Sequence, residues 1–233
     1  MADHPILFST PMIRALFAGR KTITRRILKK QAALDAISVF GPDFLLKPGN
    51  SDLLKYSIGD QLWVREEHYR YGHWEPVTGV KTKTGRQKWA FSPDTDELLF
   101  DPPSVFRGGR HHRDPYTPAW HKRLGRFMFR RDSRLTLTVT GVKIERLQDI
   151  SEADAIAEGI EPFTDFMPYG NHWKRYRDGG WNSYVDSPIA SFASLWTEIN
   201  GSGSWEANPW VPAYSFDVHH TNIDSMETSH ETE

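Results

Sequence analysis

Lys21 and Thr24 stand three residues apart, just beyond the end of a short predicted helix, and bring an amine and a hydroxyl to one stretch of chain. A hydroxyl becomes a useful nucleophile when a base removes its proton, and a neutral amine can be that base. A charged amine instead stabilises developing negative charge. Either role needs a fixed position, and the helix supplies one. Ser9 and Thr10 can cap it, Pro11 suits its first turn, Leu16 and Phe17 give apolar contacts, and Gly19 ends it. The run from Thr22 to Ile27 then alternates as a strand does, which puts positions 21 and 24 on opposite faces. Both serve one site only if the chain bends near Thr22. The same run also reads as a basic helix end, in which Lys and Arg complement the helix dipole and the threonines favour β structure.

The elements around this run follow from periodicity and breakers. Ile6-Leu7-Phe8 reads as a first strand, and residues 28–58 as a connecting segment. Gln61 to Glu67 predicts a strand with Leu62 and Val64 on one face. The Gly-, Pro- and charge-rich stretch of about 68–125 predicts an insertion, with a hairpin around Gln87 to Leu99. Arg134 to Thr140 is the clearest strand and continues to Arg146, with Leu135, Leu137 and Val139 on one face. Ser151 caps a helix, with Asp154 three residues on, and Glu158 falls in its last turn beside Gly159. A carboxylate there meets the negative end of the helix dipole, which disfavours its ionised form by up to about 1 kcal/mol unless a cation compensates. Lys21 is a candidate for that cation. Residues 161–187 have no clean period and predict a loop near a ligand site. Pro188 opens a helix through Ile199, closed by Asn200 and Gly201. Trp210 to Val218 reads as the closing strand, with Pro212 implying an edge or a bulge. Together these elements predict an α+β fold in a single domain over residues 1–218, followed by a disordered acidic tail over 219–233.

Composition narrows the chemistry. The 233 residues include no cysteine, which excludes disulfides, thiol nucleophiles and cysteine-based zinc sites. Ten histidines occur without His-x-His or His-Glu-x-x-His spacing, so no metal and no cofactor are expected. No apolar run is long enough to span a bilayer, and the N-terminus lacks a secretory pattern. The expectation is a soluble, cytoplasmic protein with no membrane partner. Net charge is −1, but Arg107 to Arg134 gathers nine cations against two carboxylates, interleaved with Tyr116, Trp120, Phe127 and Phe129. That mixture suits phosphate neutralisation with base stacking, so this region is a candidate RNA surface; it also reads as a solvated basic loop. Of nine tryptophans, Trp63 and Trp196 lie on periodic faces and are assigned to the core. Trp205 and Trp210 flank Asn208-Pro209, where an amide and an indole could read and stack on a base, or where a rigid corner could pack the fold.

Gly19, Lys21 and Arg26 resemble the Gly-x-Lys-x-x-Glu-x-Arg signature of the ASCH-domain family, with Thr24 in place of the Glu. Ala18 to Thr24 is similar to the matching segment of bacterial members that hydrolyse N(4)-acetylcytidine with a Lys, a Thr and a Glu. The segment Ile150 to Ile160 is similar to their Glu-bearing helix and puts that residue at Glu158. Two further blocks, Gly59 to Glu66 and Leu195 to Val211, resemble longer ASCH-type proteins of bacteria and phages. The chain departs from those relatives where they read Met-Pro-Arg-Trp-Ala-Ser-Arg, since Met128 to Arg134 carries no Trp. The resemblance implies a PUA-like mixed β-barrel with short flanking helices and a long insertion. It implies a metal-independent amidohydrolase acting on a small nucleoside, with Lys21, Thr24 and Glu158 as its catalytic set. Arg26, Trp63, Arg65, Glu66, Asn208 and Trp210 are the implied substrate contacts. PUA-like barrels also bind RNA or modified bases without altering them, and nuclease activity has been attributed to ASCH-type proteins, so both remain alternatives.

Overall fold

The computed structural model describes residues 2–109, 114–163, 172–176 and 184–227. In chain order the elements are β1 (Asp3–Leu7), α1 (Thr10–Phe17), β2 (Ile23–Arg25), α2 (Gln31–Phe40), β3 (Gln61–Arg65), β4 (His68–Lys81), β5 (Gln87–Leu99), β6 (Arg107–Gly108) and β7 (Ala119–Arg123). They continue with β8 (Thr136–Arg146), α3 (Glu152–Ala157), β9 (Pro162–Phe163), β10 (His172–Lys174), β11 (Tyr184–Val185), α4 (Pro188–Asn200), β12 (Trp210–His219) and α5 (Ile223–Glu227).

The class is α+β, with mixed sheets and short helices. The principal sheet has the order β1-β3-β8-β12-β2, in which β1 and β3 run parallel and the other neighbours antiparallel. Among the described residues this order is open, with β1 and β2 at its edges. Leu135, Leu137 and Val139 are buried, as their alternation predicts, and pack with Ile6, Leu62 and Phe216. From α1 come Met12, Ile13 and Leu16, and from α4 come Phe192, Leu195 and Trp196, so sheet and helices share one apolar core.

Several expectations need correction. The connecting segment 28–58 contains α2, whose Ala33 and Ile37, one turn apart, close a second cluster with Leu28, Leu45 and Ile144. Gln87 to Leu99 is not a hairpin but one long strand paired with β4. The reversal lies before it, where the Thr82 N–H donates to the Arg86 carbonyl at 2.7 Å and Gly85 takes φ +76°. With β6 and β7 these strands make a second sheet, β5-β4-β7-β6, entirely from the segment expected as an insertion.

Pro212 marks neither an edge nor a bulge: β12 lies between β8 and β2, and its register shift falls at Ser215/Phe216. The Pro212 carbonyl accepts from the Arg26 N–H at 3.2 Å, and its nitrogen, facing the same way, has no N–H to return, which is where β2 ends. Residues 219–227, expected in a disordered tail, belong to the fold: β12 runs to His219, and Ile223 is fully buried. Positions 228–233 lie outside the described residues, as do 164–171 and 177–183 of the expected 161–187 loop. The rest of that loop forms the small sheet β11-β10-β9, tied to α4 by the Ser191 hydroxyl donating to the Lys174 carbonyl at 2.6 Å.

Candidate active site

The end of α1 sets the position of Lys21. Gly19 takes φ +66°, and the N–H groups of Arg20 and Lys21 both return to the Ala15 carbonyl, at 2.9 and 3.2 Å. The Thr22 N–H then donates to the Ala157 carbonyl at 2.9 Å, and Lys21 and Glu158 form an isolated antiparallel bridge. One residue later the chain changes partner, and β2 pairs with β12, with Thr24 opposite Tyr214. This change of partner at Thr22 is the bend that the 21/24 spacing requires, and it leaves Lys21 and Thr24 lining the same cavity.

Glu158 arrives from the other side. The Ser151 hydroxyl accepts from the Asp154 N–H at 3.1 Å and starts α3, and Glu158 caps its C-terminus. Gly159 follows at φ +86°. A Cβ there would stand 2.8 Å from the Lys21 Cβ and 2.9 Å from the Ala15 Cβ, so only glycine lets the two segments approach this closely.

Lys21, Thr24, Arg25 and Glu158 are all buried. An ammonium carries three N–H donors, and Lys21 has an acceptor for each: the Ile23 carbonyl at 2.9 Å, the Glu158 carbonyl at 2.7 Å and Glu158 Oε2 at 2.8 Å. Glu158 Oε1 accepts from the Arg25 backbone N–H at 2.7 Å and from Arg25 Nη1 at 3.3 Å. Arg25 also donates from Nε and Nη2 to Glu145 Oε1, at 2.9 and 2.6 Å, and from Nη2 to Asp154 Oδ2 at 2.6 Å. One guanidinium therefore ties three carboxylates together, as its planar fork allows and a lysine would not.

These cations answer the dipole cost of a carboxylate at the end of α3. Burial lowers the Lys21 pKa from its ordinary 10.5; Glu158 opposes that fall, while Arg26 and Arg25 add to it. Burial also works against the Arg25 cation, but Glu158 and Glu145 outweigh it and hold its pKa above the ordinary value.

The cavity beside this cluster has a volume of about 70 Å³. Lys21, Thr24, Arg26 and Glu158 form its polar side, and Phe192, Leu195, Trp196 and Ile199 of α4 its apolar side. That is room for a small acyl group, well below the ~300 Å³ or more of a pocket enclosing a whole drug-sized ligand. Larger space lies alongside. A cleft of about 640 Å³ shares Phe8, Met12, Arg26 and Ile199 with the cavity, and another of about 550 Å³ shares Arg26, Ile27 and Asn200. Arg26 lines all three, and its Nη2 donates to the Leu7 carbonyl at 2.9 Å.

The other expected substrate contacts do not line this cavity. Trp63 is buried in β3, with the Arg65 guanidinium over its ring at 4.4 Å. Glu66 takes a two-pronged ion pair from Arg134, both bonds at 2.9 Å. Asn208 holds a turn at φ +40°, its Oδ1 accepting from the Gln148 N–H at 2.9 Å. Trp210 lies under the Arg146 guanidinium at 4.4 Å and packs on the second apolar cluster. These four positions and Arg65 brace the frame. Conversely, the α4 residues facing Lys21 and Thr24 read from the sequence only as core, because a helix face that packs a core and one that lines a cavity carry the same apolar period.

Part of the basic run 107–134 is tied up by the fold around it, through backbone carbonyls and through carboxylates from other segments. Arg107 donates to the Asp114 and Thr117 carbonyls, Lys122 pairs with Glu67 at 2.7 Å, and Arg130 with Asp3 and Asp224 at 2.8 and 2.7 Å. Arg123 packs against Phe91 and Trp74, and burial pushes its pKa down to about 10. Arg126 and Arg131 stay exposed beside Phe127 and Phe129, while residues 110–113 of the run lie outside the described residues.

Among the described residues no group of three His, Asp or Glu side chains is placed to hold a metal ion, and no helix is long and apolar enough to cross a membrane. The chain matches no protein-family model, no curated protein and no solved structure.

Proposed function

We propose that this protein is an amidohydrolase that removes a small acyl group from the exocyclic amine of N(4)-acylated cytosine nucleosides such as N(4)-acetylcytidine, in the cytoplasm. We read its fold as an ASCH domain of the PUA-like barrel class. The observation that carries the activity is the convergence of Lys21, Thr24 and Glu158 on one buried cavity of acyl-group size, with Arg26 shared between it and the two clefts beside it.

The hydrogen bonds suggest an order of events. A charged Lys21 has committed all three of its N–H groups, so it has none to offer a substrate oxyanion. Passing one proton from Nζ to Glu158 Oε2 turns the buried ion pair into a neutral amine and a neutral acid, a change that desolvation favours. The amine then turns its lone pair from Glu158 to Thr24 and takes the hydroxyl proton as Thr24 Oγ1 attacks the acyl carbon. The resulting ammonium protonates the departing amine, cytidine leaves, and the acyl group stays on Thr24. A water molecule deprotonated by the same amine attacks that ester, releasing the carboxylic acid and returning the proton to Thr24.

The test is release of cytidine and acetate from N(4)-acetylcytidine by purified protein, with Lys21→Ala, Thr24→Ala and Glu158→Ala each suppressing it in folded protein. The size of the cavity adds that a bulky acyl group, such as benzoyl, is turned over more slowly than acetyl. Full activity of Lys21→Ala refutes the assignment. Salt-dependent affinity for RNA without turnover selects a binding module instead, and the exposed Arg126, Phe127, Phe129 and Arg131 are where it would act. Cleavage of an RNA oligonucleotide that Lys21→Ala abolishes selects a ribonuclease.

A further inference from the structure

The cleft of about 550 Å³ beside the cavity is formed by the chain leaving β2, by residues 52–55, by Pro212 and Tyr214 of β12, and by Asn200 at the end of α4. It collects Arg26, Lys29, Lys30 and Lys55 against one carboxylate, Asp52. Among the described residues none of the three lysines pairs with a carboxylate: Lys30 donates to the backbone carbonyl of Asp52, and Lys55 lies over the Tyr56 ring at 4.9 Å. Like charges gathered in excess of their counter-ions repel one another, and the repulsion is relieved when an anion enters.

Tyr214 supplies an independent sign. Its side chain is fully buried and lines this cleft; the backbone N–H groups of Tyr56 and Lys55 face its hydroxyl oxygen, while its own proton has no acceptor. A buried hydroxyl proton without an acceptor is uncommon in folded proteins, and one beside a cationic cleft is accounted for by an acceptor that arrives with a ligand. Tyr214 is also the cross-strand partner of Thr24, so it and the proposed nucleophile lie on neighbouring strands on one face of the sheet. The 640 Å³ cleft differs in character: Ile6, Leu7, Phe8, Pro11, Met12 and Leu124 make it mainly apolar, and Glu67 opposes its cations.

We infer that the cationic cleft is a phosphate subsite, so that the preferred substrate carries a phosphate group, either as a free nucleotide or as part of an RNA chain. This rests on the reading of the cavity as the acyl site. With the acylated amine in the cavity, the sugar passes the junction at Arg26 and the phosphate meets Lys29, Lys30, Lys55 and Tyr214. Arg26 carries the continuity, since it lines the cavity and both clefts.

Binding of the reaction products tests the subsite without relying on turnover. Titration calorimetry compares cytidine, cytidine 5′-monophosphate and an oligocytidylate hexamer with the full-length protein and with Lys29→Gln/Lys55→Gln, in which two exposed side chains lose their charge. The nucleotide is expected to bind at least about tenfold tighter than cytidine, the usual yield of one charge-assisted hydrogen bond, with an advantage that falls as salt rises. The double variant is expected to bring the two affinities close to equal. Tighter binding of the hexamer than of the nucleotide assigns the phosphate to RNA, and the reverse assigns it to free nucleotides. Equal affinity of cytidine and its monophosphate for the wild type, or no binding of either phosphate-bearing ligand, overturns the inference. Phosphate-dependent binding with no hydrolysis of the acetylated nucleoside or nucleotide would leave the subsite standing and refute the amidohydrolase instead.

Discussion

Replacing Glu158 by Gln keeps the shape of the side chain and removes its charge. An amide offers one oxygen and one NH2 group. With the oxygen toward Lys21 Nζ, the NH2 faces the Arg25 N–H; turned over, it faces the ammonium. In either orientation two donors meet where bonds of 2.7 and 2.8 Å now stand. Water cannot compensate, since Lys21 is only 2% exposed. Breaking a buried pair by removing one partner costs about 3–5 kcal/mol. For a chain of this length each kcal/mol lowers Tm by about 2–4 °C, so a fall of about 6–20 °C is expected near neutral pH.

The loss should also depend on pH. Burial already holds the Lys21 pKa below 10.5, and without the carboxylate it falls further. Between the folded and unfolded values the unfolded chain binds more protons, so stability rises with pH there and is lost as the pH falls through the folded pKa. The gap between variant and wild type must therefore narrow from about pH 7 to about pH 10, as read by urea denaturation across that range. A variant within about 1 kcal/mol of wild type at about pH 7, or a gap that widens on the alkaline side, would falsify the buried-pair argument.

Four other outcomes are expected. Gly159→Ala meets both the positive φ and the Lys21 and Ala15 side chains, so it should lose about 2–4 kcal/mol in denaturation and most of its turnover. Arg25→Lys keeps the charge but cannot reach Glu145, Asp154 and Glu158 together, so kcat should fall while KM stays near wild type. If the neutral amine of Lys21 forms by passing its proton to Glu158, kcat/KM stays flat with pH until the pair loses that proton, below the ordinary 10.5 of a lysine, and a rise of about tenfold per pH unit across the neutral range counts against the internal transfer. Ser151→Ala removes the cap of α3 and should cost about 1 kcal/mol in stability, with a smaller effect on rate.

Local signals carried much of this molecule. Ser151 with Asp154, Pro188 before α4 and the alternation around Leu137 each fix an element through contacts within a few residues, and each element stands close to its expected place. α2 was hidden because its exposed end includes Val39 and Phe40, which blur the one-sided period that Ala33 and Ile37 would otherwise show. The β4–β5 ribbon was hidden because Gly72, Pro76, Gly79 and Pro93 interrupt strands that are held by each other more than by a core. At the site, Lys21 and Thr24 were visible as a local pair. Arg25 beside them was not, since its meaning lies in carboxylates 120 to 133 residues away. Trp63, Asn208 and Trp210 have the chemistry of base readers but find their partners in Arg65, Gln148 and Arg146.

The bridge between Lys21 and Glu158 joins positions 137 residues apart through both backbone and side chains. Neither end of the chain can assemble the cluster alone, because the amine belongs to one end and its carboxylate to the other. Catalysis should therefore report on completed folding and recover no earlier than the slowest long-range step of refolding. A chain divided at the exposed turn between β4 and β5 separates the two ends without cutting the cluster. The two fragments should each be silent and regain turnover only when mixed, which makes this turn a natural place to build a split reporter of association.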